Sequence, residues 1–166
     1  MNVDGRAVAN FILDFCDNKT RPITNLALQK IVFFCHVWSL IELRRPLIGQ
    51  QFEAWQFGPV LQYLYREFKD FDSRPIERRA RRINPESGIK EIVPHNFDDE
   101  THALLNQVVD FYSRLSASEL VKLSHTPGGP WDQVWNHTGM VNPGMKITED
   151  SLVRYYSKVR SPVSVQ

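Results

Sequence analysis

Residues 24–46 read TNLALQKIVFFCHVWSLIELRRP, and this stretch decides the fold. Projected at about 100° per residue, its uncharged polar residues Asn25, Gln29, His36 and Ser39 fall on one narrow stripe, and almost all the remaining circumference is apolar. A surface helix keeps a wide polar face, so the pattern predicts a central helix over 26–43 that other elements wrap on several sides. Thr24 is placed to cap its start, and Pro46, which has no amide hydrogen and clashes one turn back, to stop it. The run approaches the about 20 apolar residues of a membrane span, but Lys30, His36 and Glu42 interrupt it at a cost lipid does not offset. The reading is a buried core helix with no membrane partner.

On the N-terminal side, Val8, Phe11, Ile12, Phe15 and Cys16 recur at helical spacing and predict an amphipathic first helix ending near Asp17-Asn18-Lys19 and Pro22. On the C-terminal side, Gln51 to Phe57 is aromatic-rich and too short for a helix, which predicts a strand or extended segment. Gly58-Pro59 is read as opening a helix with Pro in its first turn and Val60, Leu61, Leu64, Tyr65 and Phe68 on its buried face. From 74 to 93 isolated isoleucines alternate with charges around Asn84-Pro85-Glu86-Ser87-Gly88, the pattern of a β-hairpin protruding from a helical body.

Further on, Asp98 and Asp99 can cap a helix carrying Leu104, Leu105, Val108, Tyr112 and Leu115. Ser116-Ala117-Ser118-Glu119 is a capping box for a short helix through Leu120 and Leu123. Gly128-Gly129-Pro130-Trp131 turns into another, residues 139–144 read as a loop, and Thr148 caps a last helix with Leu152, Tyr155, Tyr156 and Val159 on one face. The expected architecture is mostly α: one compact helical domain over 1–160 around the buried central helix, with a small hairpin or short sheet at about 74–93 and a disordered tail at 161–166.

A chain of 166 residues can bury roughly 70% of its unfolded surface without metal or disulfide staples. Its 20 basic and 19 acidic residues give +1, so no global field favours nucleic acid or an anionic membrane. Cys16 and Cys35 sit in apolar helical patterns without CxxC spacing and read as buried free thiols of a reducing cytoplasm, where the sequon-like Asn136-His137-Thr138 has no meaning. The five histidines, His36, His95, His102, His125 and His137, show no metal-ligand spacing. No phosphate loop or dinucleotide fingerprint occurs, and the paired carboxylates lie at helix starts where capping accounts for them. No catalytic, cofactor or metal site is therefore assigned, although an enzyme site along the Asn25, Gln29, His36 and Ser39 stripe, with His125 brought alongside, is the reading a structure must test.

Arg78, Arg79, Arg81 and Arg82, with Arg74 nearby, form the one strong charge cluster. The planar guanidinium suits an acidic protein surface or phosphates; neutral overall charge and the lack of a recognition-helix motif put nucleic acid, and a DNA-binding regulator, behind a protein partner. Read as a solvated hairpin, these arginines are replaceable by Ser together at little cost in stability. Trp55, Phe57 and Tyr63 flank Gly58-Pro59 as core or as an aromatic anchor surface.

The sequence 28–38, LQKIVFFCHVW, followed by Arg45-Pro46-Leu47, by 53–60, EAWQFGPV, and by L-x-x-L-Y-x-x-F over 61–68, resembles the Panacea-domain family of SocA-like antitoxins and GepA-like phage-associated proteins. Residues 119–131, ELVKLSHTPGGPW, resemble the family's second motif, and Ile147 with Leu152 to Tyr156 its closing helix. Ser39 stands where a second histidine is common, Gly129 where a serine often precedes Pro-Trp, and residues 71–100 match no family pattern. The resemblance implies an antitoxin that neutralises a cognate protein toxin by direct contact, or an adaptor that delivers the toxin to a protease complex; neither role needs catalysis. It makes Leu28, His36, Trp38, Trp55, Gly58, Pro59, His125 and Trp131 scaffold residues, and leaves partner choice to the arginine segment 74–92.

Overall fold

A computed structural model describes residues 2–136 and 143–163. The first helix, α1 (Gly5–Asn18), starts at Asp4, whose carboxylate accepts from the Arg6 amide. The central helix, α2 (Asn25–Trp38), starts at Thr24, whose hydroxyl accepts from the Ala27 amide, and every residue of it except Leu26 is buried. It continues as one widened π-turn, Ser39–Leu43, and stops at Arg44 in the left-handed conformation. The stop is thus made two residues before Pro46, by a left-handed cap whose amide returns to the Ser39 carbonyl.

By length and composition the helix over Asn25–Leu43 could cross a membrane. Here it is packed against α1, a strand pair and four later helices. These are β1 (Glu53–Trp55) and β2 (Gly58–Val60), α3 (Gln62–Phe68), α4 (Asp99–Tyr112), α5 (Ala117–Ser124) and α7 (Glu149–Tyr156), the last following α6 (Pro130–Trp135). The core closes over α2 through aromatic contacts. Phe34 stacks on Tyr112 at 4.3 Å, and the Trp38 indole donates to the Tyr112 hydroxyl at 2.8 Å while its ring meets Tyr156 edge-on. The fold is mostly α with two small antiparallel sheets among the described residues.

The capping signals hold: Asp98 caps α4, Ser116 and Glu119 form the reciprocal box of α5, and Thr148 caps α7. Two readings are corrected. Gly58-Pro59 does not open a helix; it lies in β2, paired with β1 in the register Trp55↔Gly58 and Ala54↔Pro59, and α3 begins only at Gln62. Gly58 has φ +118°, outside the helical range, so a Pro that fits a helical first turn here sits in a strand. Val159 likewise falls beyond α7, in the turn after Tyr156. The second sheet pairs β3 (Arg81–Ile83) with β4 (Lys90–Ile92), the hairpin read from the sequence. His137 and Thr138, residues 139–142 of the expected loop, and residues 164–166 of the tail lie outside the described residues, while Val163 packs against the core.

Candidate functional site

The hairpin is fixed to the body at one buried residue. Asn10 of α1 accepts the Ala80 amide at 2.7 Å and donates to the carbonyls of Ala80 and Val93 at 3.0 and 2.9 Å. Ala80 and Val93 form the last buried rung, closed by the Val93 amide on the Ala80 carbonyl. Beyond that rung all six strand residues are exposed. The tip is held locally: the Asn84 side chain accepts from the Glu86 and Ser87 amides, and Gly88, at φ +71°, returns its amide to the Asn84 carbonyl. A rigid base and a self-closed turn present a surface the core does not use.

The arginines do not form one free cluster. Arg78 clamps both oxygens of Asp70 at 2.7 and 2.8 Å and lies over the Phe71 ring. Arg74 donates to the Asp70 carbonyl and also lies over Phe71. Arg79, with only 18% of its side chain exposed, pairs with Asp14 and Asp17 on α1. Burial alone pushes the Asp14 carboxyl up, but hydrogen bonds from His95 and Arg79 hold it below the usual range. Arg82 approaches Asp4 at 3.8 Å. Among the described residues the Arg81 guanidinium has no such partner. The four hairpin arginines thus fall into two pairs: Arg78 ties the segment to Glu67 and Asp70 at the end of α3 and Arg79 ties it to α1, whereas Arg81 and Arg82 project.

The motif residues meet at a second place, under β2. Lys30 is fully buried and donates its ammonium to the Pro59 carbonyl at 2.9 Å, and burial pushes its pKa down to about 7. Gly58 passes so close that a Cβ there would overlap Lys30 Cε and lie 2.8 Å from Ser124 Oγ. Trp131 stacks on His125 at 3.6 Å and donates to the Trp55 carbonyl at 2.7 Å. His125 Nε2 is a buried polar atom without a hydrogen-bond partner among the described residues, and burial, then the charge of Lys30, lowers the ring's pKa. The sequence marks Lys30 only as a charge interrupting the apolar run; its position opposite a glycine-proline strand appears only on folding.

The polar stripe of α2 is structural in geometry. Gln29 accepts the Leu61 amide and donates to Asn25, which donates to the Tyr65 carbonyl. Ser39 donates to the Arg45 carbonyl. His36, 2% exposed, accepts the Ile48 amide on Nδ1 at 3.2 Å, so its proton sits on Nε2, 4.0 Å from a Glu149 oxygen. Burial pushes its pKa down to about 4, and the neutral ring does not open onto solvent. His125 is brought to Trp131, not to His36. Cys16 and Cys35 are buried free thiols, their pKa values raised by burial. Among the described residues no group of His, Cys, Asp and Glu could hold a metal.

Of the aromatics around Gly58, Tyr63 turns inward and accepts the Gly5 amide at 3.1 Å. Phe57 stands 57% exposed at the β1–β2 turn, and Trp55 meets Tyr65 edge-on. With Leu26 these rings line a groove of about 580 Å³ whose floor includes Gln29 and Lys30.

Two comparisons bear on this arrangement. The family described as "Antitoxin SocA-like, Panacea domain" matches residues 28–132, which takes in most of α2, both strand pairs and the turn into α6. The chain is 39% identical over 165 residues to "Antitoxin SocA" of Caulobacter vibrioides (strain NA1000 / CB15N), covering 99% of this chain and 88% of that protein. No solved structure matches it. With the buried helix, the Gly58-Pro59 strand and the His125–Trp131 stack all inside the matched region, the chain belongs to the SocA-like antitoxin family and carries its Panacea domain.

Proposed function

We propose that this protein is the cytoplasmic antitoxin of a toxin–antitoxin pair and neutralises its toxin by direct protein contact, through the hairpin that Asn10 anchors. The observation that carries this reading is the contrast within 74–93: Ala80 and Val93 are buried and fully bonded, whereas the strands beyond them expose Ile83 at 60% and Ile92 at 53% beside projecting Arg81 and Arg82. An ordered, cation-bearing surface with apolar residues that no other described element covers suits a partner with acidic groups, which such charges steer and orient. Four of the five segment arginines already pair with carboxylates or carbonyls of the chain itself, which leaves little for a run of phosphates and disfavours the DNA-binding reading.

The test is co-expression with the protein encoded beside it. Growth arrest by that neighbour, relieved by this chain with a co-purifying complex, is expected. Replacing Arg81 and Arg82 by Ser should weaken the complex and its salt sensitivity while leaving thermal unfolding unchanged. Toxin that persists in the complex indicates masking, and toxin that disappears only when this protein is present indicates delivery to a protease. Arrest that the intact chain fails to relieve refutes the reading.

A further inference from the structure

The register of the hairpin divides its main-chain groups into used and open ones. Hydrogen-bonded rungs fall at Ala80/Val93, Arg82/Glu91 and Asn84/Ile89, as the Val93-to-Ala80 and Asn84-to-Ile89 bonds show. The amides and carbonyls of Arg81 and Ile83 on one strand, and of Lys90 and Ile92 on the other, therefore point outward. The β3 edge is obstructed: the Arg81 amide donates to Glu67 at 3.1 Å and its carbonyl accepts from Arg6 at 3.4 Å. On the β4 edge nothing among the described residues meets the outward groups of Lys90 and Ile92.

The same register sorts the side chains. Arg81, Ile83, Lys90 and Ile92 share one face, the one turned away from where Ala80 and Val93 enter the core. The other face is partly self-satisfied, with Asn84 donating to Glu91. The outer face thus carries two isoleucines and two cations and no carboxylate.

We propose that β4 is a docking edge which takes an extended segment of the toxin as a third strand, that segment placing an apolar residue beside Ile92 and a carboxylate beside Lys90, two positions apart on one face. This rests on the direct-contact reading above. Main-chain bonds would supply affinity that depends little on sequence, and the isoleucine and lysine would supply the selection. A second copy of this chain is a poorer occupant, since antiparallel pairing centred on Lys90 or on Glu91 sets like charges opposite one another.

Proline separates the edge from the charge. Lys90 is the first residue of β4 and its amide points away from β3, so Lys90→Pro removes one outward donor and leaves the hairpin ladder intact. Lys90→Ala removes only the charge. With the toxin from the neighbouring gene, Lys90→Pro should bind roughly tenfold more weakly than Lys90→Ala, because a partner carbonyl is left without its donor. Both variants should melt with the parent. In amide exchange on the intact complex, the Lys90 and Ile92 amides should slow on the order of a hundredfold on binding, while those of Arg82 and Glu91, already in the ladder, change little. A complex in which Lys90 and Ile92 still exchange freely, or which Lys90→Pro forms as tightly as Lys90→Ala, overturns strand addition and leaves direct contact standing. Protection of these amides in the free protein with concentration, or on phosphatidylglycerol vesicles, overturns it in favour of a second copy or a membrane surface. No complex at all with the intact chain overturns both readings.

Discussion

Lys30→Met should stabilise this protein at neutral pH. The ammonium has no solvent exposure and one acceptor, the Pro59 carbonyl at 2.9 Å, and burial moves its pKa from 10.5 to about 7. Each unit is worth about 1.36 kcal/mol, so holding this group inside the fold at pH 7 costs on the order of 5 kcal/mol relative to the unfolded chain. Methionine follows the same path past Gly58 without the charge. It forfeits the bond to Pro59, worth about 0.5–1.5 kcal/mol, and leaves that carbonyl without its donor, at about 1–3 kcal/mol. A net gain of about 1–3 kcal/mol remains at pH 7.

The pH dependence carries the sharper signature. Because the folded pKa is depressed, the unfolded state binds more protons between about 7 and 10.5, and stability rises with pH across that window, by up to about 1.36 kcal/mol per unit. Above pH 9 the Cys16 thiol, pushed up to about 11, works in the opposite sense, since there the folded state binds the extra proton. Urea unfolding followed by tryptophan fluorescence at pH 7.0 to 8.5 is therefore the assay. The parent should gain stability over this range and Lys30→Met should be nearly flat. A variant less stable than the parent at pH 7, with the slope retained, would refute the account of Lys30 as a buried cation held only by the neutral Pro59 carbonyl.

Three other outcomes follow from the packing. Trp38→Ala empties a site 1% exposed and strands the Tyr112 hydroxyl, so thermal unfolding should show a loss of about 3–5 kcal/mol and neutralisation should fail with the fold. Gly58→Ala adds a Cβ at φ +118° against Lys30 and Ser124; a loss of about 2–3 kcal/mol is expected in urea unfolding, more than the about 1 kcal/mol of an ordinary glycine effect. The depressed pKa of His36, about 4 against 6.5, means the unfolded state binds more protons between those values and stability falls on acidification through them. His36→Gln, which keeps an acceptor for the Ile48 amide, should reduce that slope by up to about 1.36 kcal/mol per pH unit, measured by urea midpoints from pH 4.5 to 6.5. The lowered His125 contributes in the same sense and is untouched by the change.

By itself the sequence determined what local chemistry can specify. The apolar circumference of 26–43 required a buried helix, Thr24, Asp98, Ser116 with Glu119, and Thr148 fixed helix starts through amides within three residues, and Asn84 to Gly88 closed a hairpin. The family motifs were legible for the same reason, since they are contiguous. Tertiary structure alone decided the rest, because the deciding partners lie far along the chain. Asn10 anchors the hairpin 70 and 83 residues away, Asp14 and Asp17 take Arg79, and Glu67 with Arg6 obstructs one edge of the hairpin and leaves the other open. Gly58-Pro59 reads locally as a helix start because its signal is ambiguous; pairing with Trp55 and the approach of Lys30, 28 residues earlier, hold it as a strand. A charge's worth as a contact or as a structural pair depends on what folds beside it, and no residue carries that information within its own turn of chain.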